Sequence, residues 1–194
     1  MNLPNKLTVV RIILAPLFLI LALVDFPFHY LVAGLVFGAA ALTDMLDGKI
    51  ARSRGLITNL GKFLDPLADK MLTTAAFLVF AKTENIHWWI WALMIILTRE
   101  FMVTSVRLVA AKDGTVIAAN FWGKLKTVTQ FGAIIYELAA LELSEWLVRF
   151  EVPALFYQIP LGIGTALLWI SVALTAISGI QYVWANRKFF KESK

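Results

Sequence analysis

Four carboxylates stand out in a chain that is otherwise apolar. Asp44, Asp47, Asp65 and Asp69 fall within 26 residues, in the runs Asp44-Met45-Leu46-Asp47-Gly48-Lys49-Ile50-Ala51-Arg52 and Gly61-Lys62-Phe63-Leu64-Asp65-Pro66-Leu67-Ala68-Asp69. Apolar helical stretches flank both runs. Placing one carboxylate in a bilayer costs about 2.5–3.5 kcal/mol even on lenient scales. Four together require positive charge beside them, and one or two divalent cations are the simplest source. Asp44 and Asp47 are three residues apart and Asp65 and Asp69 four apart, so each pair shares a helical face. If the two helices pack antiparallel, both pairs meet in one pocket. The donors are hard oxygens and the chain has no Cys, which suits Mg²⁺ or Mn²⁺ and disfavours zinc. Two such ions could bridge a pyrophosphate and an attacking oxygen. Gly48 and Gly61 leave the backbone open to a phosphate or nucleotide.

The elements that must hold these groups are membrane helices. The composition is 60% apolar and only 16% charged, with mean hydropathy +0.76, against about 25% charged in soluble domains. The 194 residues suit one bundle, read as a single domain 1–194. Apolar runs predict six transmembrane helices in an all-α polytopic bundle, over about 7–24, 30–47, 65–82, 87–110, 120–143 and 161–184. Each is near the roughly 20 residues needed to cross about 30 Å of hydrocarbon, and helices are required because lipid satisfies no open backbone group. Pro66 is expected in the first turn of the third helix or at a bend in it. The first segment lacks a small-residue cleavage site and is read as a span rather than a signal peptide.

An even number of crossings puts both termini on one side. Sixteen Lys and Arg then fall on the side of the aspartates, and only Lys82 and Arg149 on the other. This bias places the termini and the acidic site in the cytoplasm, in a membrane expected to be the bacterial plasma membrane. Trp88, Trp89, Trp91, Trp146, Tyr30 and Tyr157 form the aromatic belt at the outer interface. The net charge of +5 therefore points to anionic lipid or an anionic substrate, and not to nucleic acid. His29 and His87 lie opposite the aspartates, which removes a histidine relay. Gly162-x-Gly164 lacks a dinucleotide context and reads as close helix packing. Small-residue faces also make a homodimer plausible.

The pattern Asp-x2-Asp-Gly-x2-Ala-Arg-x8-Gly-x3-Asp-x3-Asp, filled here by Asp44, Asp47, Gly48, Ala51, Arg52, Gly61, Asp65 and Asp69, resembles the signature of the CDP-alcohol phosphatidyltransferases. The resemblance implies a membrane enzyme that moves the phosphatidyl group of CDP-diacylglycerol to an alcohol, releasing CMP. It implies that Asp44, Asp47 and Asp65 chiefly hold two divalent cations, and that Asp69 takes the acceptor's proton while touching a metal. Gly48, Ala51, Arg52 and Gly61 would lie along the CDP moiety, with Asn5 and Thr8 from the opening Asn2-Leu3-Pro4-Asn5-Lys6-Leu7-Thr8-x2-Arg11. The plainer alternatives are a positive-inside anchor for Arg52 and helix-start roles for Asn5, Thr8 and Arg11.

A second cluster bears on the acceptor. Arg99-Glu100 and Arg107 lie in the fourth helix, and Gly123-Lys124-Leu125-Lys126-Thr127-x2-Gln130 opens the fifth. Arg99, Arg107, Lys124 and Lys126 would form an anion site for a phosphorylated acceptor. These segments resemble the branch of the family that uses glycerol 3-phosphate. Inositol phosphate, serine or phosphatidylglycerol are the alternative acceptors. Against this, Lys124 and Lys126 could be boundary charges, and Arg99 could simply pair with Glu100 or Glu137. Direct displacement is expected, since no Cys and no Ser-His pair is available as a nucleophile. A divalent-cation transporter is the rival from another class. It fits less well, because transport sites lie near the midplane and these carboxylates lie at one edge.

Overall fold

The computed structural model describes residues 2–53, 59–83, 86–112 and 121–187. Among them are six helices: α1 (Leu3–Leu23), α2 (His29–Ser53), α3 (Asn59–Thr83), α4 (Ile86–Lys112), α5 (Phe121–Arg149) and α6 (Leu155–Ala185). All expected helices are present, and the described residues contain no strand.

The helix starts have local causes. Asn2 caps α1 by accepting from the Asn5 backbone N–H at 3.1 Å, with Pro4 in the first turn, where a missing N–H costs nothing. The chain then reverses through Phe28, whose φ of 66° is left-handed. The start of α2 is capped from across the bundle. The Tyr30 and Leu31 N–H groups donate to Glu142 Oε2 at 3.0 and 3.3 Å, while Trp146 Nε1 donates to Oε1 at 2.8 Å. One carboxylate thereby satisfies two of the orphan donors that every helix start exposes.

The principal helix contacts close a ring in the order α1–α2–α5–α6–α4–α3 and back to α1. This differs from the expected pairing of α2 with α3. Among the described residues those two helices barely touch, and α1 packs against both. Small buried residues permit the close approach: Ala15 and Ala22 on α1, Ala33 and Ala40 on α2, Ala68, Ala75 and Ala76 on α3. Where lipid is the alternative environment, such van der Waals fit drives association. Aromatic contacts fill the larger gaps. Phe18 meets Phe37 at 5.6 Å, Phe37 meets Phe131 at 5.4 Å, and Trp89 stacks on Trp169 at 6.2 Å.

Helix α3 starts earlier than the expected residue 65, so Pro66 lies inside the helix rather than in its first turn. Of the two glycines on α6, Gly164 faces the Glu137 carboxylate closely enough to exclude a side chain, whereas Gly162 faces open space. Only the first of them serves packing. Glu137 itself is buried and accepts from Thr165 Oγ1 at 3.3 Å.

The outer surface is apolar. Leu35, Leu42, Phe101, Leu108, Ile180 and Trp184 are all at least 60% exposed, far more apolar area than a water-facing monomer presents. Among the described residues, two helices, α1 and α6, are long and apolar enough by themselves to cross a membrane, and the His29–Asp44 part of α2 is a shorter apolar stretch. The charged residues carried within α2 to α5 lower the hydropathy of those helices. Several of those charges belong to one cavity.

Candidate active site

A cavity of about 840 Å³ opens among five helices, and its walls differ in character. Asp44 of α2 and Asp69 of α3 supply an acidic wall. Arg99 and Arg107 of α4 with Lys126 of α5 supply a basic one. Gly38, Ala41 and Leu42 of α2 and Val128, Phe131 and Ile135 of α5 supply an apolar flank, and Ser178 and Tyr182 of α6 close the remaining side. With Glu100 of α4 also in the lining, three carboxylates therefore share one space with three cations.

The acidic wall is held from α1. Arg11 is 1% exposed, and its Nη1 lies 2.6 Å from Asp44 Oδ1. One turn earlier, Thr8 Oγ1 donates to Asp65 Oδ1 at 2.7 Å, with Pro4 O as a second acceptor in reach at 3.1 Å. Residues 8 and 11 share a helical face, so α1 presents one group to α2 and one to α3. Asp44 and Asp65 are thus tied through α1 rather than by direct α2–α3 packing. Asp44 and Asp69 line the cavity together, whereas Asp65 is exposed and faces α1. Asn5 is buried in α1 and Gly61 is buried in α3. The side chains of Asp47, Gly48, Ala51, Arg52 and Lys124 lie outside the described residues.

The basic wall is ordered by Glu100. Its Oε1 accepts from Lys126 Nζ at 2.7 Å and from Arg99 Nη1 at 3.0 Å. Of the two carboxylates weighed for Arg99, Glu100 is the one it meets. Lys126 is 6% exposed, which does not suit a boundary charge in water. The Arg99 Nε is buried and donates to no protein group among the described residues. A buried guanidinium donor left unused is costly unless an anion fills it. Arg107 is exposed at the cavity mouth. It donates from Nε to the Tyr182 hydroxyl at 3.2 Å and lies 5.8 Å from that ring's centre.

Glu100 was legible in the sequence only as a neighbour of Arg99. Ser178 and Tyr182 were missed, because α6 carries no motif and its small and aromatic residues read as packing. Nothing short of knowing that α6 neighbours α4 and α5 would have singled them out.

The donor set suits a hard divalent cation. The acidic wall offers carboxylate oxygens, and neither His nor Cys lines the cavity. Among the described residues no three potential metal-binding side chains converge.

A second cavity of about 350 Å³ lies at the opposite end, among Asp25, His29, Glu142, Glu145 and Arg149. Its groups serve structure. Glu142 caps α2, and His29 Nδ1 lies 3.1 Å from Phe26 O and 3.6 Å from Glu145 Oε2. As expected, His29 is remote from the aspartates.

Comparison with known proteins gives consistent results. Residues 1–177 match the family model described as CDP-alcohol phosphatidyltransferase. The CDP-diacylglycerol–glycerol-3-phosphate 3-phosphatidyltransferase of Bacillus subtilis (strain 168) is 38% identical, covering 99% of this chain and 98% of the relative. A probable phosphatidylglycerophosphate synthase of Mycobacterium tuberculosis (strain H37Rv) is 37% identical over 93% of this chain and 85% of its own length. A Rickettsia bellii protein with the same name as the Bacillus enzyme is 31% identical over 97% of both chains.

Proposed function

This chain belongs to the CDP-alcohol phosphatidyltransferase family, and from that premise we propose that it transfers the phosphatidyl group of CDP-diacylglycerol to glycerol 3-phosphate, giving phosphatidylglycerophosphate and CMP. The observation that carries the choice of acceptor is the basic wall. Arg99, Arg107 and Lys126 face the acidic wall across one cavity, and a phosphate group on the acceptor supplies the anionic oxygens that guanidinium and ammonium groups bind. The names of the Bacillus and Rickettsia relatives point to the same acceptor.

The acceptor phosphate binds the guanidinium groups of Arg99 and Arg107 and the Lys126 ammonium, with Lys124 nearby in sequence. Glu100 keeps Arg99 and Lys126 in place. Asp69, half-buried at the cavity wall, accepts the proton from the acceptor hydroxyl. The freed oxygen attacks the phosphatidyl phosphorus, a new P–O bond forms, and the bond to CMP breaks with CMP carrying the charge away. The CDP moiety lies along Gly48, Ala51, Arg52 and Gly61, with Asn5 and Thr8 at its edge. The acyl chains reach lipid past the apolar flank of α2 and α5.

The family generally depends on divalent cations. Asp44, Asp47, Asp65 and Asp69 would hold two ions, Mg²⁺ or Mn²⁺. Bound there, such ions would neutralise the pyrophosphate and the charge that builds on the leaving CMP. The apolar exterior supports a membrane protein. We assign it six crossings as one domain over 1–194, with both termini and the cavity facing the cytoplasm of a bacterium, on the distribution of Lys and Arg. A homodimer is part of the same proposal, to be checked by the mass of the purified protein in detergent.

The test is release of CMP from CDP-diacylglycerol by purified protein. Release that depends on glycerol 3-phosphate, and that inositol phosphate, serine or phosphatidylglycerol do not replace, is the expected result. Equal release with serine would refute the acceptor assignment.

A further inference from the structure

Arg99 reaches the cavity by crossing α6 at a residue with no side chain. A Cβ built on Gly179 would stand 2.7 Å from Arg99 Cγ and 3.5 Å from its Cβ, with Met102 Cε at 3.7 Å. Carbon atoms do not approach to 2.7 Å, so any substitution must move the arginine stem or part the two helices. The stem is not free to yield. Its far end is tied to Glu100 by the 3.0 Å hydrogen bond from Nη1. Its Nη2 passes Gly123 of α5, 3.7 Å from where a Cβ would be, which is ordinary contact. The arginine is thus pressed on α6, guided past α5 and pinned on α4, and its cavity-lining guanidinium keeps an unused buried donor at Nε.

We infer that Gly179 is a positioning residue of the acceptor subsite: the gap it leaves in α6 sets where the Arg99 guanidinium stands toward a phosphorylated acceptor. This rests on the reading of Arg99 as a phosphate ligand. Gly179 touches no substrate and acts through Arg99 alone. Nothing in the motif points to it, since Ser178-Gly179 reads as an ordinary small-residue pair of a membrane helix.

The experiment is a double-mutant cycle on purified protein, reading CMP release against each substrate and thermal melting in parallel. Gly179→Ala is expected to raise the KM for glycerol 3-phosphate about tenfold, with the KM for CDP-diacylglycerol unchanged. On an Arg99→Ala background, where the clashing Cγ is gone, the same substitution is expected to add less than about twofold, the mark of coupled residues. Gly162→Ala, in the same helix but facing open space, is expected to behave as wild type. If Gly179→Ala alone does not fold, the double variant is expected to recover a folded, monodisperse protein. A double variant that also fails, effects that multiply in the cycle, or equal changes in both KM values would overturn the proposal. Wild-type protein that ignores glycerol 3-phosphate would instead overturn the acceptor reading, a result visible before any variant is made.

Discussion

Arg11 Nη1 of α1 lies 2.6 Å from Asp44 Oδ1 of α2, joining a side chain 1% exposed to one 42% exposed. The arginine thus reaches from the interior of the bundle to the wall of the cavity. Its removal takes this cation from Asp44. Arg11→Met is expected to cost about 1–2 kcal/mol of stability, less than a fully buried pair would because water screens the Asp44 side. Thermal melting of Arg11→Met, Asp44→Asn and the double variant measures the coupling. Strictly additive losses would show that the pair carries none.

Asp69 is assigned the acceptor's proton. Asp69→Asn keeps the shape and removes the base, so CMP release is expected to fall by about 10²- to 10⁴-fold, while labelled CDP-diacylglycerol still binds. Near-normal turnover in that variant would exclude Asp69 as the base.

The Arg107–Tyr182 contact separates a ligand from its support. Arg107→Ala is expected to raise the KM for glycerol 3-phosphate far more than that for CDP-diacylglycerol. Tyr182→Phe removes one hydrogen bond to Arg107, a contribution of about 0.5–1.5 kcal/mol. Its KM shift should have the same direction and stay within about tenfold. Equal shifts for both substrates in Arg107→Ala would remove the residue from the acceptor site.

Chelation tests the carboxylate set. EDTA is expected to stop CMP release, and Mg²⁺ or Mn²⁺ to restore it, as all-oxygen donors favour hard ions. Full activity after exhaustive chelation would mean that the aspartates work without a metal.

At the far end of the bundle, Glu142→Gln is expected to lower the melting temperature while leaving both KM values alone. The variant weakens the cap on α2, a loss of about 1 kcal/mol, and lies away from the cavity. A change in either KM would reveal a link between the two ends.

The helices and part of the cavity lining were legible because their signals are local. Three- and four-residue spacings fix which carboxylates share a face before any tertiary contact forms, and apolar runs of sufficient length must be helices where backbone groups find no water. Asp44 and Asp69 do line a common cavity, and Arg99, Arg107 and Lys126 do face them. The start of α3 was harder to read. Pro66 was read in the first turn of α3 or at a bend in it; the helix begins at Asn59, so the first-turn reading fails and the proline stands in the helix interior, where the loss of one ladder hydrogen bond is tolerated when packing holds the rest.

By itself, then, the chain determined its helices, the family they belong to and the charged residue types that line the cavity. The tertiary structure alone decided the neighbours. It put α1 between α2 and α3, so that Thr8 and Arg11 hold Asp65 and Asp44. It also brought Tyr182 and Gly179 of α6 against Arg107 and Arg99 of α4. Periodicity encodes which side of a helix is apolar. Which other helix covers that side depends on how side chains interlock over tens of residues of separation, and no local pattern carries that information.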